Sequence, residues 1–481
     1  MPKQNLSRRE FLRMSALAAG ATALAACAPS SAPAQPAANN ATSSSNAAAA
    51  PGKSPKEVRY ASFDWFAYVP GVKWDEYNQK EAFPKYKETN PDVDLKWEPH
   101  GDGWETKVLT NMAAGTAPDV MASWPPITNT WAEKKQLLNV QPLVDVDIPG
   151  AKEKFLKTAW EQAWDPVTQI RMGLVTDIDV TSVYYSKQAF EEAGVPLPTK
   201  DWTTDDYTNA AIKLTKKDGS GNITRWGGQL RPDFALGYFY YVEAFGGKVR
   251  DDETMMECKL GEEPALQALE WIRKGMWDLN CFGQNNQISA TGIPNTWTGV
   301  LPAGIVAFAE RSADQFFALS DGLPEGSWNI AHIPKGPKDR AGMGSPDLWS
   351  IYKGVTERGN QDAAWQFLKW LGTSDYYQDN IASKAGRIPG LISAADKWPK
   401  TLRTIDGKLG PVELEVILDQ LKTGEARAPE LFRFQSVADE LINPAMQAIY
   451  IEGKAKVDTL KEVAGKVTDA QKEALKRAGG S

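Results

Sequence analysis

Cysteine and histidine are scarce in this chain: three cysteines and two histidines stand among 481 residues. His100 and His332 lie far apart in sequence, which leaves little room for a histidine-built metal site or a histidine-dependent triad. Cys258 and Cys281 flank a helix expected over 264–278, about 22 Å long at 1.5 Å per residue. A disulfide needs Cα atoms within about 7 Å, and residues 259–263 would have to run back along that helix near their full reach. No bridge is expected, even in an oxidising compartment. No phosphate-cradling G-x-x-x-x-G-K-[ST] run, no G-x-S-x-G elbow and no H-E-x-x-H helix occurs. No repeat of 20–50 residues is visible, which argues against a solenoid. A basic tract is also missing. The net charge is −7, and residues 1–26 contribute +3, so the remainder is near −10, a balance that disfavours nucleic acid as a partner.

What is present fits a soluble protein of two domains. The length exceeds one ordinary core, and hydrophobic residues are 42% against 24% charged. Eighteen tryptophans are unusual. Many can be core, but an indole also offers a flat apolar face with a polar edge. Residues 1–27 read as an export signal, with Arg8, Arg9 and Arg13 ahead of an apolar run, Met14 to Ala26, too short to span a bilayer. The arginine pair followed by Phe11 and Leu12 resembles a twin-arginine signal. Leu24-Ala25-Ala26-Cys27 is similar to the lipobox of bacterial lipoproteins, in which the cysteine, here Cys27, is lipidated. The alternative is an ordinary cleaved signal with an incidental cysteine. Residues 28–56 are Ala, Ser, Pro, Asn and Gln with almost no large apolar residue, as expected of a flexible tether.

From Glu57 the pattern becomes globular. Val58 to Phe63 reads as a strand, residues 73–89 as a helix, and Val93 to Trp97 as a half-buried strand. A second helix over 103–114 and a buried strand over 118–124 follow. This β-α-β-α-β order implies parallel strands with crossover helices. The chain is organised around 173–198, GLVTDIDVTSVYYSKQAFEEAGVPLP. An apolar run ending in a turn (173–176) leads to Asp177 and Asp179, then to a β-rich run over 180–185. Ser186 is a helix N-cap and Gly194 a stop. Polar residues between two such strands mark a hinge with a ligand beside it.

The run AAGTAPDVMASW, then LLNVQPLVD at 137–145, then the hinge stretch, resembles the extracellular solute-binding proteins of ABC sugar importers. So do Trp202 to Tyr207, Tyr241 to Gly247, Gly304 to Phe308 ahead of Arg311-Ser312, Trp328 to Ala331, Pro334 to Pro337, and Ala364 to Leu371. The resemblance covers nearly all of 57–481. Phe308 stands where the family often has Met, and QLRPDF at 229–234 does not align with the family's ligand loop. The resemblance implies an α/β, two-lobed periplasmic-binding-protein-like fold (type II), with hinged lobes around a ligand cleft. One lobe would hold 57–177 plus 350–386, the other 180–345 plus 387–481, with crossings near 176–180, 345–350 and Arg387.

The acids Asp177 and Asp179 side by side admit three readings: a catalytic carboxylate pair as in glycosidases, a solvated hinge edge, or, by the resemblance, an Asp179 that accepts hydrogen bonds from sugar hydroxyls. Asp145 and Asp147 repeat the spacing in a Pro-bounded loop. Neither pair has the Gly and Glu of a calcium loop, so no metal and no cofactor is expected. Trp65, Trp124 and Trp349 each follow a predicted strand and could stack on a pyranose face or pack within a lobe. Trp365 and Trp370 lie on an amphipathic helix and are expected in the core. Asp64, Arg311, Asp314, Ser345, Asp347 and Arg387 complete the expected ligand set. Ser345 and Asp347 belong to a glycine-bearing loop over 342–347, and Arg387 to a similar loop where its alternative is a solvated surface position. The resemblance implies a lipid-anchored, exported, monomeric sugar binder without enzymatic activity, partnered by membrane permease subunits and a separate ATPase chain. The alternatives are a binder of a non-sugar solute and a secreted carbohydrate-active enzyme.

Overall fold

Two β-sheets organise the chain. The structure, a computed structural model, describes residues 56–63, 67–101, 103–232 and 237–478. Cys27 and the whole segment before Lys56, together with Asp64 and Trp65, lie outside the described residues.

The first sheet is built from β1 (Lys56–Ser62), β2 (Val93–Pro99), β3 (Val120–Ser123) and β4 (Leu174–Val180). The second begins with β5 (Ser182–Ser186), β6 (Ile223–Gln229), β7 (Phe282–Gly283), β8 (Val306–Arg311) and β9 (Trp328–Ala331). The chain then returns to the first sheet as β10 (Gly342–Ile351), β11 (Ile388–Pro389) and β12 (Ala426–Arg427). The first sheet has the order β11-β4-β10-β3-β1-β2, with β12 beside β10, and the second the order β7-β6-β8-β5-β9. β1 pairs in parallel with β2 and β3, as the β-α-β-α-β pattern requires, whereas β10 runs antiparallel to both β3 and β4.

Most strands are buried on both faces. Val58 and Tyr60 point into a core with Phe83, Tyr86, Trp349 and Phe367. Tyr60 meets Phe83 edge-on at 4.9 Å. A second core gathers Tyr185, Phe190, Tyr207 and Phe308 with the helices Glu263–Arg273, Gln435–Met446 and Leu460–Arg477. Here Gly227 is needed for close approach: a Cβ would stand 1.9 Å from the carbonyl oxygen of Ala211 on the helix Thr204–Leu214. A third cluster takes Val175, Ile178 and Val180 from β4, Tyr184 from β5, Trp328 and Ile330 from β9, and Trp398, so it joins the two sheets where the chain crosses. Cys258 and Cys281 are both buried free thiols. Among the described residues, no helix is long and apolar enough to cross a membrane.

Three local expectations are corrected. Leu174–Val180 is a continuous strand, so Asp177 and Asp179 lie inside it and the break falls at Thr181. Residues 342–347 belong to a ten-residue strand, not a loop. The glycines and Pro346 misled: Pro346 faces Ile178 of β4, and β3 joins β10 from Leu348 on, so its missing N–H costs no ladder bond there. Asp145 and Asp147 lie on the helix Gln141–Asp147, and Asp147 accepts from the Trp365 indole at 2.7 Å.

Candidate functional site

The crossing strands present a polar face. In antiparallel register, Ser345 lies opposite Asp179 and Asp347 opposite Asp177. Residues two apart on a strand share a side, so Met343, Ser345 and Asp347 line up beside Asp179 and Asp177. At one end of this face, the N–H of Thr181 donates to the carbonyl of Met343 at 3.0 Å. There a cavity of about 310 Å³ opens, lined by Thr181 and Met343 together with Arg231, Tyr240, Trp297 and Glu310 of the second-sheet region.

Glu310 is the last residue but one of β8, the lone acid in GIVAFAE, and is 6% exposed. The hydroxyls of Tyr240, at 2.5 Å, and Tyr241 donate to its two carboxylate oxygens. Burial pushes its pKa up to about 8, against the tyrosine hydrogen bonds and the positive charge of Arg311. Trp297 sits in a loop set by an Asx turn: Asn295 Oδ1 accepts the N–H groups of Trp297 and Thr298 at 2.8 and 3.0 Å. The guanidinium carbons of Arg311 and Arg231 lie 4.6 and 5.4 Å from the Trp297 ring centroid. Such a cavity offers an aromatic surface, a carboxyl, a guanidinium and two apolar contacts, a set able to hold a small polyhydroxylated ring.

At the other end, the face is tied shut. Arg387, expected in a loop and either ligand-bound or solvated, is 4% exposed. It donates to Asp177 and Asp347, each at 2.5 Å, and to the Tyr68 hydroxyl at 2.7 Å. Gly386, at φ 76°, ends the preceding helical turn in the left-handed region and delivers Arg387 to this position. Burial pushes the Asp177 and Asp347 carboxyls up, and Arg387 opposes the rise in each. Arg387 and Asp347 are therefore a structural strut. The partners of Arg387 lie 210 and 40 residues away, a separation that local sequence does not reveal. Asp177 is fully buried in this strut, which leaves it unable to meet a substrate as one of a catalytic pair.

The remaining expected residues scatter. Asp179 is half-buried and accepts the N–H of Ala313 at 3.0 Å, linking β4 to the start of the helical segment beyond β8. Ser345 is half-buried opposite it. Trp349 is 2% exposed and packs against Tyr60 and Phe367 in the first core, so it has no face for a ligand. Trp124 is half-buried at the end of β3, stacked on Phe63 at 5.5 Å and edge-on to Trp104 at 5.4 Å. Arg311 is 2% exposed and holds the Trp297 loop. The side chain of Asp314 lies outside the described residues. Arg231, Tyr240, Trp297 and Glu310 were missed. The available signals were a single acid closing an apolar strand and a Pro-Asn-x-Trp turn, in which asparagine fixes the backbone and presents the indole.

Residues 72–378 match the family model described as bacterial extracellular solute-binding protein. A binding protein of Brucella abortus (strain 2308) is 23% identical over 411 residues, covering 80% of this chain and 88% of the relative. Among solved structures, an ABC substrate-binding protein from Listeria monocytogenes in complex with cycloalternan aligns with a TM-score of 0.70 at 17% identity, over 89% of this chain and all of that one. The sugar-binding protein MalE from Xanthomonas citri aligns with a TM-score of 0.70 at 17% identity, over 87% of this chain and 98% of the other. These likenesses give the fold as two-lobed α/β.

Proposed function

Because the chain belongs to the bacterial extracellular solute-binding protein family, we propose that it captures a sugar for an ABC importer and hands it on chemically unaltered. The observation that carries this reading is the cavity at the crossing, where Trp297, Tyr240, Glu310 and Arg231 converge. A pyranose places C–H groups against an indole and hydroxyls against a carboxyl and a guanidinium. The solved relatives whose names include cycloalternan and sugar binding support the same ligand class. We divide the lobes as 57–177 plus 350–386 and 180–345 plus 387–481, amended by sheet membership, which carries β4 to Val180 and β10 back to Gly342 and assigns β11 and β12 to the first lobe. Trp124 and Asp179, with Ser345, supply the face that closes over the ligand. Closure is driven by ligand only in so far as it touches both lobes.

The protein acts as a monomer without catalysis, anchored through lipidated Cys27 outside the cell membrane, with a permease and a separate ATPase chain as partners. A thermal-shift screen against mono- and oligosaccharides tests the ligand class, since a ligand that binds only the folded state raises the melting temperature. A rise with the sugar recovered intact supports capture. No rise with any sugar, or reducing ends released from an oligosaccharide, ends this reading. Cys27→Ser should move the protein from the membrane fraction to the soluble one.

A further inference from the structure

Arg311 was expected to touch the ligand, yet its surroundings describe a different task. It is 2% exposed. Its Nε donates to the carbonyl of Trp297 at 2.8 Å, Nη1 to the carbonyl of Glu310 at 2.6 Å, and Nη2 to the carbonyl of Thr296 at 3.3 Å and to the Gln229 side chain. Its guanidinium carbon also lies 4.6 Å from the Trp297 ring centroid. Backbone and ring of one tryptophan are thus referenced to a single planar group. Gln229 is 0% exposed and fixes the other side of that group, while its amide donates to Asn285 at 3.0 Å. Residues 290–304 form no strand and no helix, so the Trp297 indole is held by side chains and turns: Arg311 from within, the Asn295 turn from outside, and Arg231 at 5.4 Å from the ring centroid.

Successive residues on β8 face opposite ways: Glu310 lines the cavity and Arg311 reaches under its wall. We propose that Arg311 is the positioning residue of this cavity, setting ligand affinity by holding the Trp297 indole in place rather than by contacting the ligand. This rests on the sugar-capture reading for the affinity it sets, but not for the bracing itself. Lysine cannot replace the fork, because an ammonium is a compact point charge without a plane to lie against an indole.

The experiment labels the full chain with 5-fluorotryptophan and assigns the Trp297 fluorine resonance by its loss in Trp297→Phe. In sugar-free Arg311→Lys, that resonance should shift and broaden. Affinity for the sugar ranked best by thermal shift should fall at least tenfold while far-ultraviolet circular dichroism stays unchanged. Asn295→Ala, at an exposed turn, should shift the same resonance by less and weaken binding a few-fold. If Arg311→Lys does not fold, Gln229→Glu, which keeps the shape of the group that meets Arg311 Nη2, is read by the same two measurements and should leave the resonance and the affinity close to wild type, whereas Gln229→Ala should move both; a resonance unmoved in Gln229→Ala overturns the proposal. Lost affinity with an unmoved resonance overturns the proposal, because Arg311 would then be meeting the sugar itself. A moved resonance with unchanged affinity also overturns it. If the wild-type protein binds no sugar, the capture reading fails, while a moved resonance still supports the brace and an unmoved one removes it.

Discussion

The two ends of the polar face along β4 and β10 share an ingredient, a buried carboxyl, and use it differently. At one end Asp177 is 0% exposed and meets a guanidinium that also holds Asp347 and Tyr68. At the other, Glu310 is 6% exposed, meets two tyrosine hydroxyls and borders a cavity. Burial raises the pKa of both. What separates them is the partner. An arginine tied to two acids and a tyrosine on separate chain segments, and 4% exposed, offers no face to a solute. Tyrosine hydroxyls fix a carboxyl in place without a compensating charge, so its remaining lone pairs stay available to a ligand.

Removing the cation at the tied end should have the largest effect. Arg387→Ala leaves two buried carboxyls facing each other and should cost roughly 3–5 kcal/mol near neutral pH by urea unfolding. Both carboxyls are raised by burial, so the loss should shrink as pH falls and they take up protons. An equal loss at pH 5 and pH 8 would erase the distinction between the two ends.

Glu310→Gln probes the open end. A carboxyl whose pKa in the folded state is raised to about 8 favours the protonated form on folding. Its contribution is therefore fully present below the ordinary carboxylate range and is lost as pH rises through about 8. Urea unfolding of the wild type should show stability falling across that window, with a limiting slope of about 1.4 kcal/mol per pH unit from this one group. The Gln variant should lose most of this slope. A slope unchanged by the substitution would show that Glu310 ionises freely.

Trp297→Ala should weaken sugar binding at least tenfold, about 1.4 kcal/mol by calorimetry. Its fold cost should stay below about 1 kcal/mol, because the residue is half-buried in a loop. Unchanged affinity would take the indole out of the site. The smallest effect is expected between the two ends. Asp179→Asn weakens a charged acceptor at the Ala313 N–H and should cost about 0.5–1 kcal/mol by urea unfolding. A loss as large as that of Arg387→Ala would make Asp179 part of the strut.

Much of this was legible one segment at a time. Val58 to Ser62 and Val183 to Ser186 are rich in β-branched and aromatic residues, and they are strands. Ser186 caps its helix by accepting the N–H of Ala189, as its place before KQAFEE suggested. The residues misread were those whose local composition contradicts their neighbours in space. GMGSPD carries two glycines and a proline and reads as a loop, but β4 and β12 flank it and make it a strand. Trp349 follows a strand pattern just as Trp124 does; no local feature says that Phe367 and Tyr60 close over one and not the other.

The sequence by itself determined the export-and-tether pattern as an expectation, the α/β class, and a pair of strands around 173–186, because periodicity and capping depend on neighbours within a few residues. Tertiary structure alone decided which polar groups serve the ligand and which serve the frame. Arg387, just before the two-residue β11, and Arg311, the last residue of β8, carry the same side chain. One became a strut and the other a brace because their partners arrive from segments 210 and 82 residues away. Such meetings are set by how the sheets pack, which no short window of sequence contains.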